Sequence, residues 1–288
     1  MITSSDLHLN NIKKWTIDDS VKQKVEEMGF GFLVKLREKL LTLTGDLSLP
    51  LHIINALVNN YNVETECFVF ENGANVVHLD FGLQDIPYIT GLPINGMAVS
   101  GNVRNNSVEV VETNLGLERN VAENFFKGDS KIRLKGGVDP KKLLAHFESP
   151  GIGFTANAGI RAKAFVFYCF ANVLFPSRSR ICHPYYLPLL GETVKNYAWG
   201  TAVLAHIKND LAYIVKDGGK SNMCCFSLAL TVFALERFPC LTQEKIPNLP
   251  TDFPLSLGWI DVIAKQFNTS IKRKTVEQLQ IDIMENIK

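Results

Sequence analysis

The stretch Val77–Val99, VHLDFGLQDIPYITGLPINGMAV, decides how the rest of the 288-residue chain is read. It runs from the end of a strand through a turn into one short helix, predicted over Leu83–Ile89. Asp85 lies in the first turn, where negative charge suits the helix dipole. Gly91-Leu92-Pro93 is a stop signal, and a second strand-like run follows. Upstream, Cys67-Phe68-Val69-Phe70 and Val76-Val77-His78-Leu79 flank ENGAN. Asn72-Gly73 is the dipeptide a tight hairpin turn favours, and this is the one strong β signal in the sequence.

Helical patterns surround that segment. Asp18-Asp19-Ser20 opens one carrying Val21, Val25 and Met28 on a single face, with Gly29 at its end. Phe30–Leu40 follows, and Pro50 stands at the first turn of a third helix containing Ile53, Ile54, Leu57 and Val58. Helices are predicted near Asn120–Phe126 and Pro140–Phe147, within a stretch of about 100–160 rich in Gly, Asn, Ser and Lys that reads as a polar insertion. The last third predicts Arg161–Phe175, Tyr197–Val215, Met223–Arg237 with Ser221 as its cap, Leu257–Phe267 and Thr275–Ile287. The fold class is therefore mainly α, a single helical domain with a small β-hairpin. The expected core holds Phe165, Phe167, Leu174, Trp199, Val203, Ile207, Leu228, Leu230, Phe233 and Phe238.

Composition sets bounds. A 46% hydrophobic content supports a packed core, and 30 Lys+Arg against 29 Asp+Glu gives no global pull toward nucleic acid or anionic lipid. No basic start with an apolar run marks a secretory signal, and the apolar runs fall short of the ~20 residues of a membrane helix, so no membrane contact is expected. Six cysteines, Cys67, Cys169, Cys182, Cys224, Cys225 and Cys240, look like free core thiols of a reducing compartment.

Searches for chemistry return weak matches. Gly151–Ala156, GIGFTA, fits a dinucleotide loop but lacks the preceding strand and the later acidic residue. Gly218–Ser221, GGKS, lacks the first glycine of a phosphate loop, since Ile214 stands there, and reads as an inter-helix turn. Cys182-His183 and Cys224-Cys225 have no metal-ligand spacing. Lys163 reads as a surface lysine. No catalytic residue, cofactor or metal is expected. The basic candidates for contact with phosphate are Lys131, Arg133, Lys135, Arg178 and Arg180, with Lys127, Lys141, Lys142 and Lys272-Arg273-Lys274 beside them.

Three blocks taken together resemble the plant mobile domain family. The first matches through His78, Leu79, Leu83, Asp85, Ile86, Gly91, Leu92, Pro93 and Gly96. The second matches through Leu174, Phe175, Pro176, Tyr186, Leu187, Pro188, Leu189, Leu190, Trp199, Gly200, Ala202 and Leu204, and the third through Glu236, Arg237, Phe238 and Pro239. Departures are Pro87 inside the short helix, where it removes one N–H and is expected to shorten it, and Ala234-Leu235 where the family usually has aromatic residues. The resemblance spans about residues 25–240, giving an N-terminal extension over 1–24 and a C-terminal helical extension over 241–288 packed on the same domain. It implies a stand-alone, non-enzymatic nuclear interaction module acting in transposable-element silencing, genome stability and meristem maintenance. The implied partner is a serine/threonine protein phosphatase 7-like protein. A DNA-binding domain of transposon origin is the alternative, and the family's older aminotransferase-like label finds no support in these residues. Glu236-Arg237 is expected to form an ion pair that fixes helix ends.

Overall fold

The structure, a computed structural model, describes residues 6–72, 75–100, 106–126, 136–148, 156–238, 241 and 252–267. After a helical turn at Asp6–Leu9 and a 3-10 turn at Asn10–Lys14, the order is α1 (Asp19–Glu27), α2 (Gly31–Leu41), α3 (Leu51–Asn59), β1 (Tyr61–Asn62), β2 (Cys67–Asn72), β3 (Asn75–Leu79) and α4 (Asp85–Thr90). Then come α5 (Ser107–Leu115), α6 (Arg119–Asn124), α7 (Pro140–Phe147), α8 (Ala158–Cys169), α9 (Trp199–Lys216), α10 (Ser227–Arg237) and α11 (Leu255–Phe267). The fold is mainly α, and the expected hairpin is a three-stranded antiparallel sheet of order β1-β2-β3. The chain divides into two compact units, the first holding Lys39–Ile94 and Gly200–Lys288 with Met1–Leu7, the second His8–Glu38 and Asn95–Trp199. α1 belongs to the second unit and α11 to the first.

In the first unit α10 is the centre. Ser227–Leu235 are all buried, so this helix needs neighbours on every side, and it packs against α3, α4 and α11. The sheet supplies another neighbour. Alternation puts Phe68 and Phe70 on its inner face, fully buried, with their rings 5.9 Å from Phe233 and 5.4 Å from Phe238. Phe81, just past β3, closes on Phe233 at 4.8 Å.

In the second unit α8 plays the same part, packing against α1, α5, α7 and a 3-10 segment, Pro184–Leu190. Asn157 caps it by accepting from Ile160 N–H at 3.0 Å. The helix predicted to run on to Phe175 instead widens at Phe170–Leu174 into a π turn, closed by Phe175 N–H on Phe170 O at 2.7 Å. That turn aims Phe170 into a ring cluster with Phe30, Phe175, Tyr186 and Trp199, centroids 5.1–5.4 Å away. A second cluster surrounds Trp15, with Tyr168 at 5.0 Å, Phe165 at 5.9 Å and Phe147 at 6.4 Å.

All ten expected core residues are buried. Other expectations need correction. Within 100–160, α5, α6 and α7 form and bury Val108, Val111, Leu115, Ala122, Leu143 and Phe147, so the described part is built core rather than loop. α5 was not predicted, because its apolar residues are crowded by Asn, Ser and Glu. Ser221 does not cap α10, which starts only at Ser227. Its hydroxyl donates to Asp217 Oδ2 at 2.6 Å, within the inter-helix turn expected for GGKS. Most of GIGFTA, the tail helix over Thr275–Ile287, Lys272-Arg273-Lys274 and Cys240 lie outside the described residues.

Candidate functional site

The motif residues of the first unit converge around α4. Gly82 and Asp85 tie the helix start reciprocally: Asp85 N–H donates to Gly82 O at 3.1 Å, and Gly82 N–H to Asp85 Oδ2 at 2.9 Å. The other carboxylate oxygen, Oδ1, accepts from the Arg237 guanidinium at 2.7 Å. Asp85's side chain is only 10% exposed, whereas Arg237's is 44% exposed and lies 5.7 Å over the Phe233 ring. Glu236 turns to a different element and accepts the indole N–H of fully buried Trp259. The expected Glu236–Arg237 pair is thus corrected: adjacent residues on α10 point to different partners, one on α11 and one on α4. Trp259 was not singled out in the sequence. The available signal was a tryptophan in an apolar helix whose N–H must find an acceptor, together with a glutamate in another apolar helix.

Pro87 is accommodated within α4, which runs over six residues, Asp85–Thr90. It is the third residue of the helix, where the backbone N–H would have no intrahelical acceptor, so its absence breaks no bond. Gly91 ends the helix in the left-handed region, φ +70°, and its N–H donates to Pro87 O at 2.8 Å. A Cβ there would also stand 2.9 Å from Pro254 Cγ. Leu92 is buried, and Pro93 receives the N–H of Gly200 at 2.7 Å. Gly200 sits at the start of α9 with no room for a side chain: a Cβ would meet Ile86 Cγ2 at 2.8 Å and the Leu92 and Pro93 carbonyl oxygens at 3.0 Å. Thr201 adds a bond to Ile94 O at 2.8 Å. The GLP stop is therefore a strap that α9 grips by backbone contact. His78 and Leu83 are exposed and Leu79 half-buried; Phe238 is buried and Pro239 lies outside the described residues.

The remaining motif residues belong to the second unit. Phe175 and Trp199 are in the Phe170 cluster, with Trp199 Nε1 donating to Val194 O at 2.8 Å. Pro176 and Leu187 are buried, Leu189 is half-buried and Pro188 exposed. Arg178 and Arg180 are exposed on the turn after Pro176, and Arg180 adopts φ +53°. Lys131, Arg133 and Lys135 lie outside the described residues.

Among the described residues no group of three or more His, Cys, Asp and Glu is arranged to hold a metal. Cys169 and Cys225 are fully buried thiols pushed up well above their ordinary range by desolvation, which favours the unreactive protonated form. Cys225 also faces Asp210, whose carboxylate accepts Cys224 N–H at 2.6 Å. Lys163 is half-buried and burial pushes its amine down, which corrects the expectation of a surface lysine. No helix among the described residues is long and apolar enough to cross a membrane.

These features define a mainly helical fold in which Asp85, Gly91, Gly200, Glu236 and Arg237 tie neighbouring elements of the first unit together. The chain belongs to the plant mobile domain family, whose model matches residues 42–286, past residue 240 where the motif resemblance stopped. It is similar to Protein MAIN-LIKE 2 of Arabidopsis thaliana, 28% identical over 261 residues covering 88% of this chain and 35% of that protein. It is also similar to Protein MAINTENANCE OF MERISTEMS of the same plant, 24% identical over 252 residues, 85% of this chain and 47% of the relative. A third relative there is the Serine/threonine-protein phosphatase 7 long form homolog, 26% identical over 235 residues, 80% of this chain and 16% of the other. The chain spans less than half the length of each. No solved structure matches it.

Proposed function

We propose that this chain is a non-enzymatic protein-interaction domain acting in the nucleus, in transposable-element silencing, genome stability and meristem maintenance. The observation that carries this reading is the use made of the motif. Asp85, Arg237 and Glu236 are each engaged by side chains or backbone of the same fold, and Gly91 and Gly200 serve close approaches of neighbouring segments. Residues used in this way hold a shape, and a held shape recognises partners through its outside. The similarity to MAIN-LIKE 2 and MAINTENANCE OF MERISTEMS over most of this chain supports the biological setting. The proposed partner is a serine/threonine phosphatase 7-like protein; a relative bearing such a name carries a region similar to this one.

The test is affinity purification of the tagged chain from plant nuclei, read by mass spectrometry. A reproducible partner set that includes a phosphatase-like protein is the expected result. Exclusion of the chain from nuclei, or a nuclear chain with no partner above background, would overturn the reading. Salt-dependent binding to duplex DNA at micromolar protein, weakened by Arg178→Ala and Arg180→Ala, would favour the DNA-binding alternative instead.

A further inference from the structure

Among the described residues no strand pairs with the outer edge of β3, and the direction of that edge follows from the register. Val69 N–H donates to Asn60 O at 2.7 Å, so the polar backbone of Val69 faces the β1 side. Val69 stands opposite His78, which makes that pair one without mutual ladder bonds. Alternation then assigns the bonded pairs to Phe70 with Val77 and Phe68 with Leu79. Val76 and His78 accordingly turn their N–H and C=O groups away from β2. Among the described residues, none bonds to these outward groups. Val76 is 50% exposed and His78 is exposed.

Open edges are normally guarded by lysine, proline or a bulge, because they template pairing with other chains. β3 has none of these: its register with β2 is unbroken from Asn72↔Asn75 to Phe68↔Leu79. The surroundings select what would pair there. Glu64, Glu66, Glu71 and Asp80 are all exposed around the sheet, and Glu71 lies directly opposite Val76. Against them stands Lys208, 3.2 Å from Asp80 and 3.5 Å from Glu66. A second copy of this chain would bring the same carboxylates alongside and be repelled. A basic segment would be attracted.

We propose that β3 is a docking edge for an extended, basic peptide segment of a partner protein, which adds a fourth strand through the outward backbone of Val76 and His78. Lysines or arginines at alternate positions of that segment lie on the outer face beside Glu71, Val76 and Asp80, and the apolar residues between them extend the inner face beside Val77 and Leu79, which pair with Phe70 and Phe68. This deepens the interaction-domain reading and rests on it.

The probe is a blocked seven-residue peptide of alternating lysine and valine, titrated calorimetrically into the full chain, with a glutamate–valine peptide as control. The lysine peptide should bind and the glutamate peptide should not. His78→Pro removes an outward N–H and no ladder bond, so it should weaken binding at least about tenfold while circular dichroism is unchanged. Should that variant misfold, Glu71→Lys decides: it should reverse the preference between the two peptides. The proposal is overturned if the lysine peptide does not bind, if the folded variants bind it like the parent, or if sedimentation shows a dimer that His78→Pro dissolves. If peptide binding fails while nuclear partners are still recovered, the edge falls and the interaction-domain reading stands.

Discussion

Two helices, α10 over Ser227–Leu235 and α8 over Ala164–Cys169, are buried all round at the centre of a unit, yet they are fixed in different ways. α10 ends in Glu236-Arg237-Phe238, and the two charged residues take directional partners, Trp259 and Asp85, on separate elements. α8 ends by widening into a π turn that places Phe170 among four rings, with no charge involved. Ring packing depends mainly on filled volume, with a mild preference for edge-to-face geometry, whereas a nearly buried carboxylate needs a hydrogen-bonding partner. The contrast predicts large volume effects in one region and chemically specific effects in the other.

The largest effect is expected at Phe170. Phe170→Ala removes a ring that is 1% exposed and leaves a cavity bounded by aromatic neighbours that cannot easily collapse. A loss of about 3–5 kcal/mol is expected in denaturant unfolding. Phe170→Leu, which keeps most of the volume, should cost clearly less. Equal losses for the two variants would mean that the site recognises aromatic geometry rather than volume, and the contrast between the units would narrow.

Gly200→Ala comes next. The added methyl must displace Ile86 or two carbonyl oxygens that cannot move without shifting the strap, so about 1–3 kcal/mol is expected. Gly218→Ala serves as the control for a glycine with open space around it, although its own φ of +66° adds some strain. A wild-type melting temperature in Gly200→Ala would show that the strap is not gripped as described.

Arg237 tests the chemical side of the comparison. Arg237→Ala leaves Asp85 with Gly82 N–H alone in a nearly closed site, at a cost of about 1–2 kcal/mol after discounting for the exposure of Arg237. The double variant Asp85→Asn/Arg237→Ala should recover part of that loss, because no unpaired charge remains. Recovery in the double-mutant cycle is the signature of a pair. Additive losses would show that the two residues act separately.

How much of this was legible in the sequence follows the same division. Periodicity gave most of the described helices and every expected core residue, since burial on a regular helix or strand is written at fixed spacing. The turn at Gly91 was legible because glycine before Leu-Pro has a local conformational reason. The partners of Asp85, Glu236 and Gly200 were not, because they lie 152, 23 and 107 positions away in the bonds Asp85–Arg237, Glu236–Trp259 and the neighbouring Thr201–Ile94 contact. Spacing along a chain carries no record of such distances. α5 was hidden for a third reason: its buried valines sit in a segment whose composition resembles a loop, and only tertiary burial shows that it is core. The outward groups of β3 needed both register and one bond to β1.

The smallest predicted effect concerns Asp18, which caps α1 in the second unit and separates a polar device from its ring-packed surroundings. Its carboxylate accepts from Ser20 Oγ and from Val21 N–H, and Arg161 donates to its other oxygen at 2.7 Å. These bonds, the Ser20 bond foremost, hold the acid down to about 2 from an ordinary 3.8. A carboxylate depressed in the folded state adds stability that is fully present above its unfolded value and is lost as pH falls through the folded one. Asp18→Ala should therefore cost about 1 kcal/mol near neutral pH, the usual worth of a helix cap. The gap between parent and variant should hold down to about pH 4 and shrink as pH approaches 2. Because Asp18 is exposed, added salt should reduce the Arg161 share and leave the Val21 bond largely intact. A gap that stays constant from pH 5 to 2 would mean that the aspartate acts through shape alone, as the rings do.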